Sequence, residues 1–180
     1  MRIIAGKYKK SKIYTIEGLS TRPVMDRIKE TIFNILVHRF SIIDTEVLDL
    51  YAGSGSLGLE ALSRGAKNIT FVEKSKEAVD ILKKNIEKLN CKEQCIVKHS
   101  SVELFLENAI GKYNLIFCDP PFSITDPTYI FNMILQKDII FDDSVIIFRT
   151  EEKNTFNFDK YDVLIEKNIG RSKIYFLRKK

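Results

Sequence analysis

The stretch Val47-Leu48-Asp49-Leu50-Tyr51-Ala52-Gly53-Ser54-Gly55-Ser56-Leu57-Gly58 decides the fold. An apolar run passes straight into a glycine-rich turn, and a helical pattern over Ser56–Arg64 follows. Glycines 53, 55 and 58 have the G-x-G-x-x-G spacing of a nucleotide-binding loop set between a strand and a helix. Glycine lets the chain turn tightly and lets a ligand touch the backbone. Twenty residues after Gly53, Glu73 closes the next apolar run. A carboxylate there can accept both hydroxyls of a ribose. Spacing alone leaves NAD and other adenosyl ligands open. Asp49 tips the balance. Dinucleotide loops run from apolar residues directly into glycine, whereas a ligand with an amino-acid portion and a positive sulfur gains from an acid inside the strand end. S-adenosylmethionine is that ligand, with Asp49, Gly53, Ser54, Gly55 and Glu73 as its expected contacts.

Working outward, strand and helix signals alternate. Val47–Tyr51, Ile69–Glu73, Cys95–Lys98, Leu115–Cys118 and Val145–Arg149 read as strands. Ser56–Arg64, Lys76–Leu89, a short segment at Val102–Asn108 and Tyr129–Leu135 read as helices between them. A further helix covers Asp26 to about Phe40, where Ile28, Ile32, Phe33, Ile35 and Leu36 recur at helical spacing. Such β-α alternation predicts a parallel α/β sheet with helices on both faces. The tail differs: runs near Val163–Glu166 and Lys173–Leu177 meet at Gly170, which predicts an antiparallel hairpin. Residues 2–16 alternate and break at Gly6 to Lys12, giving a basic β-hairpin extension over residues 1–20, ahead of one domain over 21–180.

A second chemical signal sits at the end of the fourth strand, in Asp119-Pro120-Pro121-Phe122. Acidic side chains at strand ends lie where α/β sheets bind ligands. Two prolines stiffen the turn and lack N–H groups, so the carbonyls of Asp119 and Pro120 can face outward as acceptors. Phe122 adds a flat apolar face. Acceptors beside an aromatic plate suit a planar group with an exocyclic amine, such as a nucleobase.

Charge is segregated. Residues 1–40 hold nine Lys/Arg and three Asp/Glu, and residues 171–180 hold five basic and no acidic residues, whereas the middle of the chain is net acidic. Basic ends of this kind are the electrostatic footprint of a phosphate backbone. Lys7, Lys9, Lys10 and Lys12 cluster on the hairpin tip, and Arg171 and Lys173 sit at the far end. No apolar run approaches the roughly 20 residues that span a bilayer. The start, Met1-Arg2-Ile3-Ile4-Ala5-Gly6-Lys7, has no signal-peptide core. Cys91, Cys95 and Cys118 cannot all pair, which points to a reduced cytoplasmic setting. No His or further Cys completes a zinc site around Cys91 and Cys95, so no metal is expected. His38 and His99 read as packed or surface histidines.

Taken together, these segments resemble the bacterial 16S ribosomal RNA guanine-N2 methyltransferases that modify guanine 966 of the small subunit. The resemblance runs through Arg2-Ile3-Ile4-Ala5-Gly6-Lys7-Tyr8-Lys9, then Thr21-Arg22-Pro23-Val24-Met25-Asp26-Arg27-Ile28-Lys29-Glu30 and Phe33-Asn34-Ile35-Leu36. It continues from Val47 to Ala66, through Phe71-Val72-Glu73-Lys74, and into the Asp-Pro-Pro-Phe element. It implies a class I methyltransferase fold, a seven-stranded sheet whose last strand is antiparallel. It implies S-adenosylmethionine as donor, and as acceptor 16S rRNA within the small subunit or an assembly intermediate. A monomeric, cytoplasmic enzyme without a membrane segment is expected. Asp119, Pro120 and Phe122 become the catalytic group, with Asp119 also bordering the donor. Arg22, Asp26 and Asn34 frame the pocket, and the basic tip holds rRNA phosphates. Many relatives have Asp or Asn after the third strand to contact the adenine amino group, and here that place is Ser101, whose hydroxyl can still accept a hydrogen bond. The Asp-Pro-Pro-Phe element also suits adenine-N6 and glutamine-amide methylation. A fold that kept RNA binding and lost catalysis is a third class, which the intact glycine loop, Glu73 and Asp119 disfavour.

Overall fold

The structure, a computed structural model, describes residues 1–16, 22–124 and 126–180, with the side chains of residues 22–24 left outside that description. Among the described residues seven strands and five α-helices form: α1 (Arg22–Arg39), β1 (Glu46–Leu50), α2 (Ser56–Ser63), β2 (Asn68–Glu73), α3 (Lys76–Lys88), β3 (Cys95–His99), α4 (Val102–Glu107), β4 (Tyr113–Cys118), α5 (Thr128–Gln136), β5 (Ile140–Glu151), β6 (Tyr161–Ile169) and β7 (Ser172–Lys179). One sheet holds all seven strands in the order β3-β2-β1-β4-β5-β7-β6. The strands β3, β2, β1, β4 and β5 run parallel to one another, and β7 runs antiparallel between β5 and β6. This is the sheet that the resemblance implies. The strand order reverses between β1 and β4, which opens a crevice at their C-terminal ends.

Register explains how that crevice is furnished. Asp49 lies level with Phe71 of β2 and Phe117 of β4, and Phe117 lies level with Ile147 of β5. Side chains along a strand alternate between faces. Stepping two residues on from Phe71, Phe117 and Ile147 therefore puts Glu73, Asp119 and Arg149 on the face that carries Asp49. Phe71, Phe117 and Ile147 belong to the core under α1, α2 and α3. The opposite face, with Leu48, Ile116 and Phe148, packs against α4, α5 and the aromatics Phe156 and Phe158.

The first 16 residues form a short clasp rather than a ladder. Pairing is confined to one antiparallel bridge, Arg2–Lys12, with bonds from Ile3 N–H to Ser11 (2.9 Å) and from Ile13 N–H to Met1 (3.0 Å). The clasp is tied down by α2 and α1. Ile3 and Ile13 are buried in the α1–α2–α3 core. Backbone N–H groups outside a ladder need other acceptors. The fully buried Glu60 supplies them, accepting from Ile4 N–H (2.7 Å), Ala5 N–H (3.0 Å) and Arg64 Nε (2.8 Å). Lys29, 2% exposed, lies 3.5 Å from Glu60 and donates to the Arg2 carbonyl at 2.6 Å. Burial pulls the Lys29 pKa down, and Glu60 opposes that pull. Of the lysine-tip extension read from sequence, residues 17–20 lie outside the described residues.

Replacing Glu60 by Ala removes the acceptor of two backbone donors and leaves Lys29 buried without its carboxylate. Breaking a buried pair from one side costs about 3–5 kcal/mol. Urea unfolding of Glu60→Ala is expected to show a loss of that size, with faster hydrogen exchange at Ile4 and Ala5. An unchanged midpoint would contradict the role given to this carboxylate.

Candidate active site

Asp49 is 1% exposed, and its Oδ2 accepts the Gly58 N–H at 2.9 Å. The N–H of the third residue of α2 is thereby taken by the protein itself. Dinucleotide folds use that helix start for the pyrophosphate. Gly58 also lets α2 lie on β2, since a Cβ there would come within 2.4 Å of the Phe71 ring. At Gly53 (φ +54) a Cβ would meet nothing within 4 Å, so this backbone faces open space. Gly53 N–H donates to Glu73 Oε2 (2.8 Å), and Ser75 N–H donates to Glu73 Oε1 (2.7 Å). Each oxygen keeps a lone pair for a further donor. The buried Asn85 of α3 donates to the Ser54 carbonyl (3.0 Å) while its side-chain oxygen accepts from Tyr14 N–H (2.7 Å). One amide thus couples the glycine loop to the N-terminal clasp. Tyr51, at φ 60, turns the chain out of β1 into the loop.

Asp119 follows β4 directly. Its Oδ1 accepts from Arg149 Nε at 2.5 Å, and the Arg149 guanidinium lies over the Phe122 ring, 5.0 Å from its centroid. Arg149 Nη1 also reaches Ser172 Oγ at 3.3 Å. Burial raises the Asp119 pKa, and Arg149 works against that rise. Asp49 is pushed well above the ordinary carboxylate range by burial, with the negative Asp119 and Glu73 adding to the push and the Gly58 N–H opposing it. Asp49, Glu73 and Asp119 thus form an acidic pocket at the strand tips. A cleft beside it is lined by Met25, Ile28, Lys29 and Ile32 of α1, by Ser56 and Leu57, and by Asp119 and Arg149.

The remaining residues singled out from sequence fall in several places. Ser101 caps α4, accepting the Leu104 N–H at 3.2 Å. Pro120 is buried beneath the turn. Asp26 is partly buried, its Oδ1 lacking a hydrogen-bond partner, and it adds to the negative field on Lys29. Asn34 is exposed two turns further along α1 and does not line the cleft, and the Arg22 side chain lies outside the described residues. Lys7, Lys9, Lys10 and Lys12 are exposed. Their turn docks at the C-terminal end of α2, where Lys7 N–H donates to the Ser63 carbonyl (2.7 Å). Eight residues of helix separate that point from the glycine loop, about 12 Å. Arg171 is exposed on the β6–β7 turn, its carbonyl accepting from Glu152 N–H at 2.8 Å, at the sheet edge that carries Asp119. Arg149 went unnoticed in the sequence. The signal was there, a charged residue closing the buried run Val145–Phe148.

A protein family described as Conserved hypothetical protein 95 matches residues 1–178. The chain belongs to this family. Ribosomal RNA small subunit methyltransferase D of Haemophilus influenzae is 36% identical over 174 residues, covering 94% of this chain and 89% of that protein. The protein of that name in Escherichia coli K12 is 33% identical over 154 residues, covering 86% and 76%. Among solved structures, a putative methyltransferase of E. coli superposes with a TM-score of 0.89 at 31% identity, covering 100% of this chain and 98% of that one. A putative methylase of H. influenzae gives 0.82 at 32% identity, covering 99% and 97%. The family membership and class I methyltransferase fold read from the motifs hold.

The buried Asp49 carries a pH signature. An unfolded aspartate ionises near 3.8, and the folded Asp49 ionises higher. Between the two values the native chain holds the extra proton, so stability falls as pH rises through that interval. Asp49→Asn keeps a carbonyl for Gly58 N–H and removes the charge. Its urea midpoint at neutral pH should equal or exceed that of the wild type, and the gap should close in acid. A midpoint below wild type throughout would show that the charge itself holds the loop.

Proposed function

We propose that this chain is an S-adenosylmethionine-dependent methyltransferase that methylates the exocyclic N2 of guanine 966 in 16S rRNA, within the small subunit or an assembly intermediate, in the cytoplasm. One observation carries the choice of donor: Asp49 is bonded into the first turn of α2, with the charges of Glu73 and Asp119 close to it. Two phosphates of a dinucleotide would meet three acids at the start of α2. A cationic, phosphate-free adenosyl ligand meets complementary charge. When bound, it supplies an electrophilic methyl group on a sulfonium that leaves as a neutral thioether.

The residues divide the work. Glu73 accepts the ribose hydroxyls, and the open backbone at Gly53, with Ser54 and Gly55, lines the cradle. Ser101, already a helix cap, offers its remaining lone pair toward the adenine. Asp49 and Asp119 set the negative field for the amino-acid portion and the sulfonium. The amine of a guanine is a weak nucleophile because its lone pair is shared with the ring. Asp119 Oδ2 and the Pro120 carbonyl accept its hydrogens and turn that lone pair toward the methyl carbon. One N2 proton would pass to Asp119 or to water as the donor, when bound, gave up its methyl group and kept the C–S electron pair on sulfur. Positioning of this kind supplies roughly 7–11 kcal/mol in favourable systems. Phe122 stacks on the flipped base, worth roughly 1–3 kcal/mol. Lys7, Lys9, Lys10, Lys12 and Arg171 hold rRNA phosphates, which orient without reading sequence. Arg22 and Asp26, at the start of α1, act at the rim of the cleft. The chain works as a monomer.

The deciding experiment is methyl transfer onto unmodified small subunits, with the modified base mapped by mass spectrometry. The expected product is one N2-methylguanine in 16S rRNA. A methyl group on adenine N6 or on protein would overturn the choice of acceptor. Asp119→Ala should lower turnover by roughly 10²–10⁴-fold while donor affinity changes far less. Near-normal turnover would remove Asp119 from the chemistry.

A further inference from the structure

Arg149 belongs to none of the motifs that define the site, yet it touches two of their members. Its Nε donates to Asp119 Oδ1, its guanidinium covers one face of Phe122, and its Nη1 reaches Ser172 on β7. Register sets this arrangement. Cys118 pairs with Phe148 on β5, so the next residues of the two strands, Asp119 and Arg149, emerge side by side. Arg149 lies level with Ile174 of β7, which places Ser172 on its own face of the sheet. A planar fork held on both sides loses little freedom per bond formed. Arg149 is therefore braced by the antiparallel strand that separates this sheet from an all-parallel one.

We propose that Arg149 is a positioning residue for methyl transfer: it fixes Asp119 Oδ1 and one face of Phe122, so that the target base meets Asp119 Oδ2 and the opposite face of the ring. This rests on the reading of the site as a nucleobase amino-methylating one. The alternative arrangement, with Arg149 absent, is chemically poor. Around Asp119 stand Asp49 on β1, the Cys118 thiol on its own strand and Lys29 on α1. The first of these is an acid. Lys29 is committed to Glu60 and to the Arg2 carbonyl. Arg149 is the cation hydrogen-bonded to Asp119 among the described residues. Without it, burial drives Asp119 toward its protonated form. A protonated carboxyl donates through one oxygen and cannot draw an amine hydrogen there. Arg149 thus acts through Asp119, and its loss is felt as a change in the pH at which Asp119 works.

The test uses the full chain, S-adenosylmethionine and unmodified small subunits. Arg149→Met is expected to cut kcat by roughly 100-fold, leave the donor KM within about threefold, and move the acid limb of the kcat–pH profile upward by about one unit or more. Arg149→Lys keeps the charge and loses the planar fork. It should return the acid limb to near its wild-type position while kcat stays below wild type. In an Asp119→Asn background, Arg149→Met should cost no more than a few-fold, because the two residues act as a unit. An Arg149→Met enzyme with wild-type kcat and an unmoved acid limb overturns the proposal, as does full additivity with Asp119→Asn. Should Arg149→Met fail to fold, Arg149→Lys decides alone: wild-type kcat rejects the positioning role. Carboxyl NMR of Asp119 in the free protein separates this idea from the functional reading. A higher Asp119 titration midpoint in Arg149→Met supports the coupling even if the wild-type chain methylates nothing, and an unmoved midpoint refutes it.

Discussion

At the tip of the central strand the Asp49 carboxylate is shut away from water and accepts the Gly58 N–H at 2.9 Å. Much of the site depends on that bond. It fixes where α2 begins, and so where the glycine loop must turn. It places a carboxylate at the helix N-terminus, where a phosphate would otherwise bind. It also buries a group whose ionised form is disfavoured, a cost that a loop built only to be stable would not carry. Local strain and unfavourable burial of this kind gather where ligands bind. The left-handed Tyr51 just beyond Asp49 fits the same pattern.

Charge is arranged on two scales. The chain as a whole carries +5, concentrated at its ends, while the strand tips gather Asp49, Glu73 and Asp119. In the proposed reading this division would draw a polyanionic substrate to the periphery and a cationic cofactor to the centre, so that the two ligands would not compete for one field. Arg149 lies between these regions. Its bond to Asp119 and its contact with Phe122 join the acidic pocket to the surface that would receive a base. The clasp gives a mechanical counterpart. Asn85 links Ser54 of the glycine loop to Tyr14, and Glu60 links the clasp to α2, so the lysine turn and the loop share one rigid support.

The fold was legible because the central strands β1, β2 and β4 are short apolar runs ending in a glycine, acid or proline signal, and the helices between the strands keep a clear period. The tail hairpin was readable from Gly170 between two close strand runs. Its placement, with β7 inserted between β5 and β6, is a tertiary outcome that pattern alone does not carry. The hairpin expected at residues 2–16 shrinks to one bridge because Glu60, on a helix, takes the N–H groups that a strand partner would have taken. Asp49, Glu73 and Asp119 were found because motif spacing marks strand ends. Arg149 was missed because its meaning lies in register: only when Phe148 is seen beside Cys118 does the next residue become Asp119's partner. Likewise nothing in the chain's order joins Asn85 to Ser54, which are 31 positions apart.

A crystal structure of the protein with S-adenosylhomocysteine is the most direct measurement of the central claim. The account predicts the thioether sulfur in the acidic pocket, the ribose hydroxyls on Glu73, the Asp49–Gly58 bond intact, and the Asp119–Phe122 turn facing the place vacated by the methyl group. A ligand seated elsewhere, or a turn directed into the core away from the sulfur, would contradict it.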